Sequence, residues 1–173
     1  MDFVSHSLWG GVALGRSSRK AFLIAAGISL LPDLLTEGLF AVLHLLDIGG
    51  MPSWSDGHPN IPAYPSWAQH LYSGTHSFVL FTPTFVLLWA SVGKPAWIIG
   101  AWGLHILIDI PTHSLALFPT PFLWPLSDFK INGLAWHSPV VFGANVLLLI
   151  AAYSLWLTQR RRWQRRGRRV KET

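Results

Sequence analysis

His105-Ile-Leu-Ile-Asp109-Ile-Pro-Thr-His113 lies inside a run that is otherwise apolar. His105 and Asp109 are four apart, so on a helix they share one face, one turn apart. An ionisable residue inside a membrane segment costs about 2.5–3.5 kcal/mol on insertion scales, and two on one face imply that they hold something. Composition supports a membrane setting. Of 173 residues, 51% are hydrophobic and 12% charged, ten are Trp, and mean hydropathy is +0.38. A soluble domain carries about 25% charged residues. There is no Cys, which excludes a disulfide framework and a thiolate metal site. No basic stretch precedes the first apolar segment, which argues against a cleavable leader.

Working outward, the apolar runs predict an all-α, polytopic membrane helix bundle. About four spans are expected, over residues 21–46, 77–93, 95–117 and 138–158, with a short half-helix over 3–15 before them. Gly10, Gly11 and Gly15 in the half-helix suit close helix packing. The chain divides into a membrane-embedded helical domain, residues 1–158, and a basic tail, residues 159–173. Arg160, Arg161, Arg162, Arg165, Arg166, Arg168, Arg169 and Lys171 fill that tail, opposed there only by Glu172, so the remaining chain is slightly acidic. The tail reads as a positive-inside anchor beside anionic lipid headgroups. With one aromatic, Trp163, among the arginines, it is a poor nucleic-acid-binding segment.

Arg16, Arg19 and Lys20 precede the first span, Lys94 separates the second from the third, and Lys130 falls in the last loop. With the C-terminus cytoplasmic, twelve of the thirteen basic residues lie inside and only Lys130 outside. Two outer loops follow, residues 47–76 and 118–137, rich in Pro and carrying Trp54, Tyr64, Trp67, Trp124 and Trp136. They suit either interfacial anchoring or the walls of a binding site.

Depth then aligns the polar residues. At ~1.5 Å per residue, Asp33 lies ~20 Å from Lys20, Asp109 ~22 Å and His105 ~16 Å from Lys94, and His6 ~15 Å from Arg16. His76 and His113 fall near ~27 Å on the same measure. His and Asp without Cys is the donor set of a hard-to-borderline ion, zinc foremost and manganese second. Candidate ligands are His6, Asp33, His70, His76, His105 and Asp109. Carboxylates can bridge ions, so one to three are compatible. Glu37, one turn past Asp33, is a candidate base or supporting group. His113, Trp124 and His137 are candidates for substrate contact near the outer rim. His44, about three turns from Asp33, and His58, in a Gly/Pro loop, are assigned no role, and Asp128 remains unassigned.

Taken together, Ser5-His6, Leu31-Pro32-Asp33, His70 with Thr75-His76-Ser77, His105 with Asp109 and Thr112, and Leu123-Trp124-Pro125 resemble the bacterial membrane-bound metal-dependent hydrolases of the YdjM/YbcI type. The matching motifs cover about residues 5–125. The resemblance implies hydrolysis with bound metal in the bacterial inner membrane. A more distant similarity to zinc-dependent phospholipase C and single-strand nucleases implies phosphoester chemistry by analogy. Two departures stand out: the family's second acid in Pro-Asp-x-Asp is Leu35 here, and six positions separate His70 from His76 without the family's Arg. The expected activity is cleavage of a lipid-like ester, most plausibly a phosphoester, by activated water at the outer face, with Asp109 and Glu37 serving the chemistry. The rival expectation is a divalent-metal carrier or a metal-stabilised membrane scaffold.

Overall fold

The computed structural model describes residues 1–53, 60–93 and 96–169, and is all-helical. His58, Trp54, Lys94 and the end of the basic tail lie outside the described residues. Helix α1, Phe3–Leu14, is capped by Asp2, whose side chain accepts from the Ser5 amide. Gly15 ends it, and a Cβ at Gly15 would stand 2.4 Å from Phe22 Cα. The chain therefore turns tightly into α2, Arg19–Asp33, whose cap Ser18 accepts from the Ala21 amide. At Gly10 a Cβ would meet Ser29 Cβ at 2.4 Å, so α1 and α2 pack almost backbone to backbone.

Pro32 interrupts the hydrogen-bond ladder of α2, because it has no N–H to donate. The helix answers with a π-turn, Leu34–Gly38, and resumes as α3, Leu39–Leu45. Thr36 Oγ1 donates to the Pro32 carbonyl at 2.8 Å. Single π-turns inside helices are common at functional sites. Helices α4, Ser66–Thr75, and α5, Phe78–Val92, meet at a bend of 54°. Ser77 makes the bend by capping α5, accepting from the Val79 amide at 3.0 Å. Helix α6, Gly100–Thr112, follows a 3-10 turn at Trp97–Ile99. The long α7, Pro139–Arg169, starts with proline just after Ser138, where a missing N–H costs nothing.

Two helical runs, Arg19–Leu45 and Pro139–Arg161, are long and apolar enough to cross a membrane, and the bent α4–α5 pair can supply a third. The expectation of about four spans is met only to that extent. The third expected span reaches helical structure only over Trp97–Thr112, because the chain past Pro111 leaves the helix at His113 and turns at Ser114–Leu117. Helix α7 runs on into the basic residues as far as Arg169.

The bundle is polar inside and apolar outside. Leu87, Leu107, Leu147 and Leu155 are exposed, as lipid-facing residues are. His6, Ser29, Asp33, His76, His105 and Asp109 are buried. Beside them sits an aromatic cluster of Phe40, Tyr64, Tyr72 and Phe118 with Ile61 and Ala68. The first loop thus packs on the bundle through Ile61 and Tyr64. The second is tied down by Phe118 and by a bond from the Tyr72 hydroxyl to the Phe118 carbonyl at 2.7 Å.

Candidate metal centre

Asp33, His76, His105 and Asp109 converge from α2, the α4–α5 bend and α6. Each offers one donor atom, and all four residues are buried. His105 Nδ1 donates to the Ser29 carbonyl at 2.8 Å, and His76 Nδ1 to the Tyr72 carbonyl at 3.0 Å. A carbonyl can only accept, so both Nδ1 atoms carry protons. Each neutral imidazole then presents its Nε2 lone pair to the centre. Backbone carbonyls of this kind commonly fix the tautomer and orientation of ligating histidines.

The two Nε2 atoms are 3.1 Å apart. Asp33 Oδ1 stands 3.4 Å from His105 Nε2 and 3.5 Å from His76 Nε2. Asp109 Oδ2 stands 3.1 Å from His105 Nε2 and 3.7 Å from His76 Nε2. A tetrahedron drawn with zinc–ligand bonds of about 2.0–2.2 Å has edges of about 3.3–3.6 Å. The five separations above, from 3.1 to 3.7 Å, bracket that range. Asp109 Oδ2 is buried with no hydrogen-bond partner, although His105 Nε2 is so close. With the proton on Nδ1, the Nε2 lone pair of His105 faces this oxygen with no proton between them. Four convergent acceptors repel one another unless a cation lies among them, so the residues fit a divalent ion.

His6 flanks this tetrahedron rather than belonging to it. Its Nε2 lies 2.8 Å from Asp109 Oδ1 and 4.0 Å from Asp33 Oδ2, and its ring lies tilted by 32° against that of His105 with centroids 3.9 Å apart. His113 approaches the same carboxylate, Nδ1 to Asp109 Oδ1 at 3.4 Å. The α-amine of Met1 also touches that oxygen, at 2.5 Å. Asp109 therefore faces the tetrahedron with Oδ2 and the His6–His113 side with Oδ1. Asp33 Oδ2, buried without a hydrogen-bond partner, turns away from the tetrahedron in the same manner. Glu37 sits in the π-turn, half-buried, four positions after Asp33.

The structure does not bring every candidate inward. His70 is exposed on α4, its ring 6.1 Å from that of Trp124. Six positions along a helix turn a side chain well away from the starting face, so His70 and His76 cannot face one point. His137 is exposed beside Trp136, and Asp128 is exposed. Trp124 is half-buried next to the α4–α5 bend, its carbonyl accepting from Ser77 Oγ. Sequence reasoning passed over the carbonyls of Ser29 and Tyr72, which set the two imidazoles. Residue type carries no signal for a backbone acceptor. Trp102, which donates to the Thr75 carbonyl at 2.6 Å and ties α6 to the bend, was also overlooked.

No protein-family model, curated protein or solved structure matches this chain.

Proposed function

We propose that the protein is a membrane-embedded, metal-dependent hydrolase of lipid-like esters, phosphoesters foremost. One observation carries this reading: two histidines of fixed tautomer and two aspartates aim lone pairs at one buried point at tetrahedral spacing. The motif resemblance to the YdjM/YbcI-type hydrolases points the same way. Asp33, His76, His105 and Asp109 hold the ion, with zinc the best match to a donor set of two nitrogens and two oxygens, and manganese the second choice. When bound, such an ion polarises an ester oxygen and makes water easier to deprotonate. The outward oxygens of Asp33 and Asp109, with His6 and His113 beside them, suit a further ion or the substrate's polar head. Glu37, one turn beyond Asp33, takes the proton of the attacking water. Trp124 and His137 border the approach. The setting is the bacterial inner membrane, with four spans, the site opening outward and the basic tail on the cytoplasmic side against anionic headgroups.

A closed shell of four protein ligands favours a second reading, because that is the pattern of structural zinc. The protein would then be a metal-stabilised membrane scaffold. Protein in liposomes, given lipid-like phosphoesters on the outer face, separates the two. A hydrolase turns them over, and Glu37→Gln slows turnover while leaving metal content intact, since size is kept and basicity lost. No cleavage across a broad ester panel, with metal required only for folding, replaces the enzyme by the scaffold. Proton-coupled metal flux without cleavage replaces it by a carrier.

A further inference from the structure

A cavity of about 770 Å³ opens at the end of the bundle away from the metal centre. From Arg19 on its wall to Asp33 is fourteen residues of α2, roughly 21 Å. Arg16, Arg19 and Arg160 line it together with Ser17, and Phe22 and Trp156 form its apolar part. The two rings are parallel, 1° between planes, with centroids 5.7 Å apart. No carboxylate lines the cavity, and α1, the first thirteen residues of α2 and α7 as far as Arg161 contain no Asp or Glu at all. Among the described residues none of the three arginines is in an ion pair. Three uncompensated guanidinium groups around one space repel one another and call for an anion.

The backbone adds to this. The α1–α2 turn places the first amides of a fifteen-residue helix beside Arg16 and Arg19, and Ser18 satisfies only the Ala21 amide. The amides of the first turn have no partner in the helix and favour negative charge. Arg16 is held in place by a bond from Nε to the Val12 carbonyl, which uses one of its five N–H groups. Guanidinium groups match phosphate oxygens well, with two parallel bonds each. The position selects the kind of phosphate. Arg160 is the first charged residue after the apolar stretch of α7, so the cavity stands where hydrocarbon gives way to headgroups. Its wall turns from arginine to aromatic toward the hydrocarbon side, as an amphiphile requires.

We propose that this cavity binds the phosphate of an anionic phospholipid, with Arg16, Arg19 and Arg160 on the oxygens and the Phe22–Trp156 pair against the glycerol end. The proposal names one cavity and three arginines, and so differs from general attraction of the basic tail to an anionic surface. Inorganic phosphate shares the recognised oxyanion and is the other source of it.

Native mass spectrometry of the full chain, released from detergent micelles holding phosphatidic acid, phosphatidylglycerol and phosphatidylcholine in equal amounts, tests this. One anionic phospholipid per chain is expected to be retained in preference to phosphatidylcholine. Arg160→Gln, on an exposed helical position that the fold does not need, is expected to cut retention about fivefold, the worth of one basic group at a membrane surface. Arg16→Gln should add to it. Arg161→Gln and Lys20→Gln make the same charge change outside the cavity wall and should leave retention unchanged. Equal losses in Arg160→Gln and Arg161→Gln would overturn the site in favour of diffuse attraction. Displacement of the lipid by millimolar inorganic phosphate would overturn the lipid assignment in favour of the free anion.

Discussion

Asp109→Asn tests the metal centre most directly. The substitution keeps the shape of the side chain and removes its charge, so it opens no cavity in the buried core around Asp109. Its oxygens serve two sides at once, Oδ2 toward His105 and His76, Oδ1 toward His6, His113 and the Met1 amine. Four-ligand zinc sites bind with an apparent free energy of about 10–16 kcal/mol. Shared over four ligands, that is about 2.5–4 kcal/mol each, or roughly a hundredfold to a thousandfold in Kd. The assay is metal content of detergent-purified protein, by inductively coupled plasma mass spectrometry, after equilibration against chelators of graded strength. Wild type should keep at least one zinc-like ion per chain. The variant should lose it to a chelator about a hundredfold weaker. Equal retention by Asp109→Asn and wild type would refute the tetrahedral assignment. Wild type that holds no metal, while remaining folded and indifferent to added zinc, would leave a plain hydrogen-bonded network in its place.

Three further outcomes are expected. His76→Ala should release metal on the same chelator series while His70→Ala and His137→Ala keep it, because only His76 aims a donor atom at the centre. Gly10→Ala should destabilise the bundle by about 1–3 kcal/mol, the usual cost of overpacking, since its Cβ would meet Ser29 at 2.4 Å; thermal unfolding monitored by circular dichroism reads this. A reporter fused after Arg169 should be cytoplasmic and one inserted near Gly57 external; a cytoplasmic Gly57 reverses the proposed orientation.

The helical class and most of the centre were legible in the sequence because spacing and depth are one-dimensional quantities. His105 and Asp109 share a face by being four apart, and α6 places both inward. Counting from the basic ends put His6, Asp33, His105 and Asp109 at similar depth, and they do meet. His76 was estimated deeper, yet it reaches the same point because the chain bends by 54° there, which residue counting cannot register. His70, a candidate by residue type and by its nearness to His76 in the chain, is exposed, since neither says anything of rotation about the helix axis. The third expected span is helical over less of its length for a related reason: hydropathy extends across Pro111 and the turn at Ser114–Leu117, but the helix does not. The cavity at the basic end drew no notice in the sequence, because Arg16, Arg19 and Arg160 are brought together only by tertiary packing.

The π-turn at Leu34–Gly38 acts as a phase-shifter within one helical run long and apolar enough to cross a membrane. Its wider hydrogen-bond spacing fits one residue more than a regular turn, so all that follows is rotated by about 100° relative to an unbroken helix. Before it, Ser29 and Asp33 address the histidines; after it, Phe40 meets Tyr64 and Trp67, with ring centroids at 4.9 and 6.1 Å. One residue fewer in the turn would swing Phe40 out of its aromatic neighbours without moving Asp33. The two halves of the span are thereby geared separately. The half that seals can be retuned by a single insertion or deletion, and the half that holds charge keeps its aim.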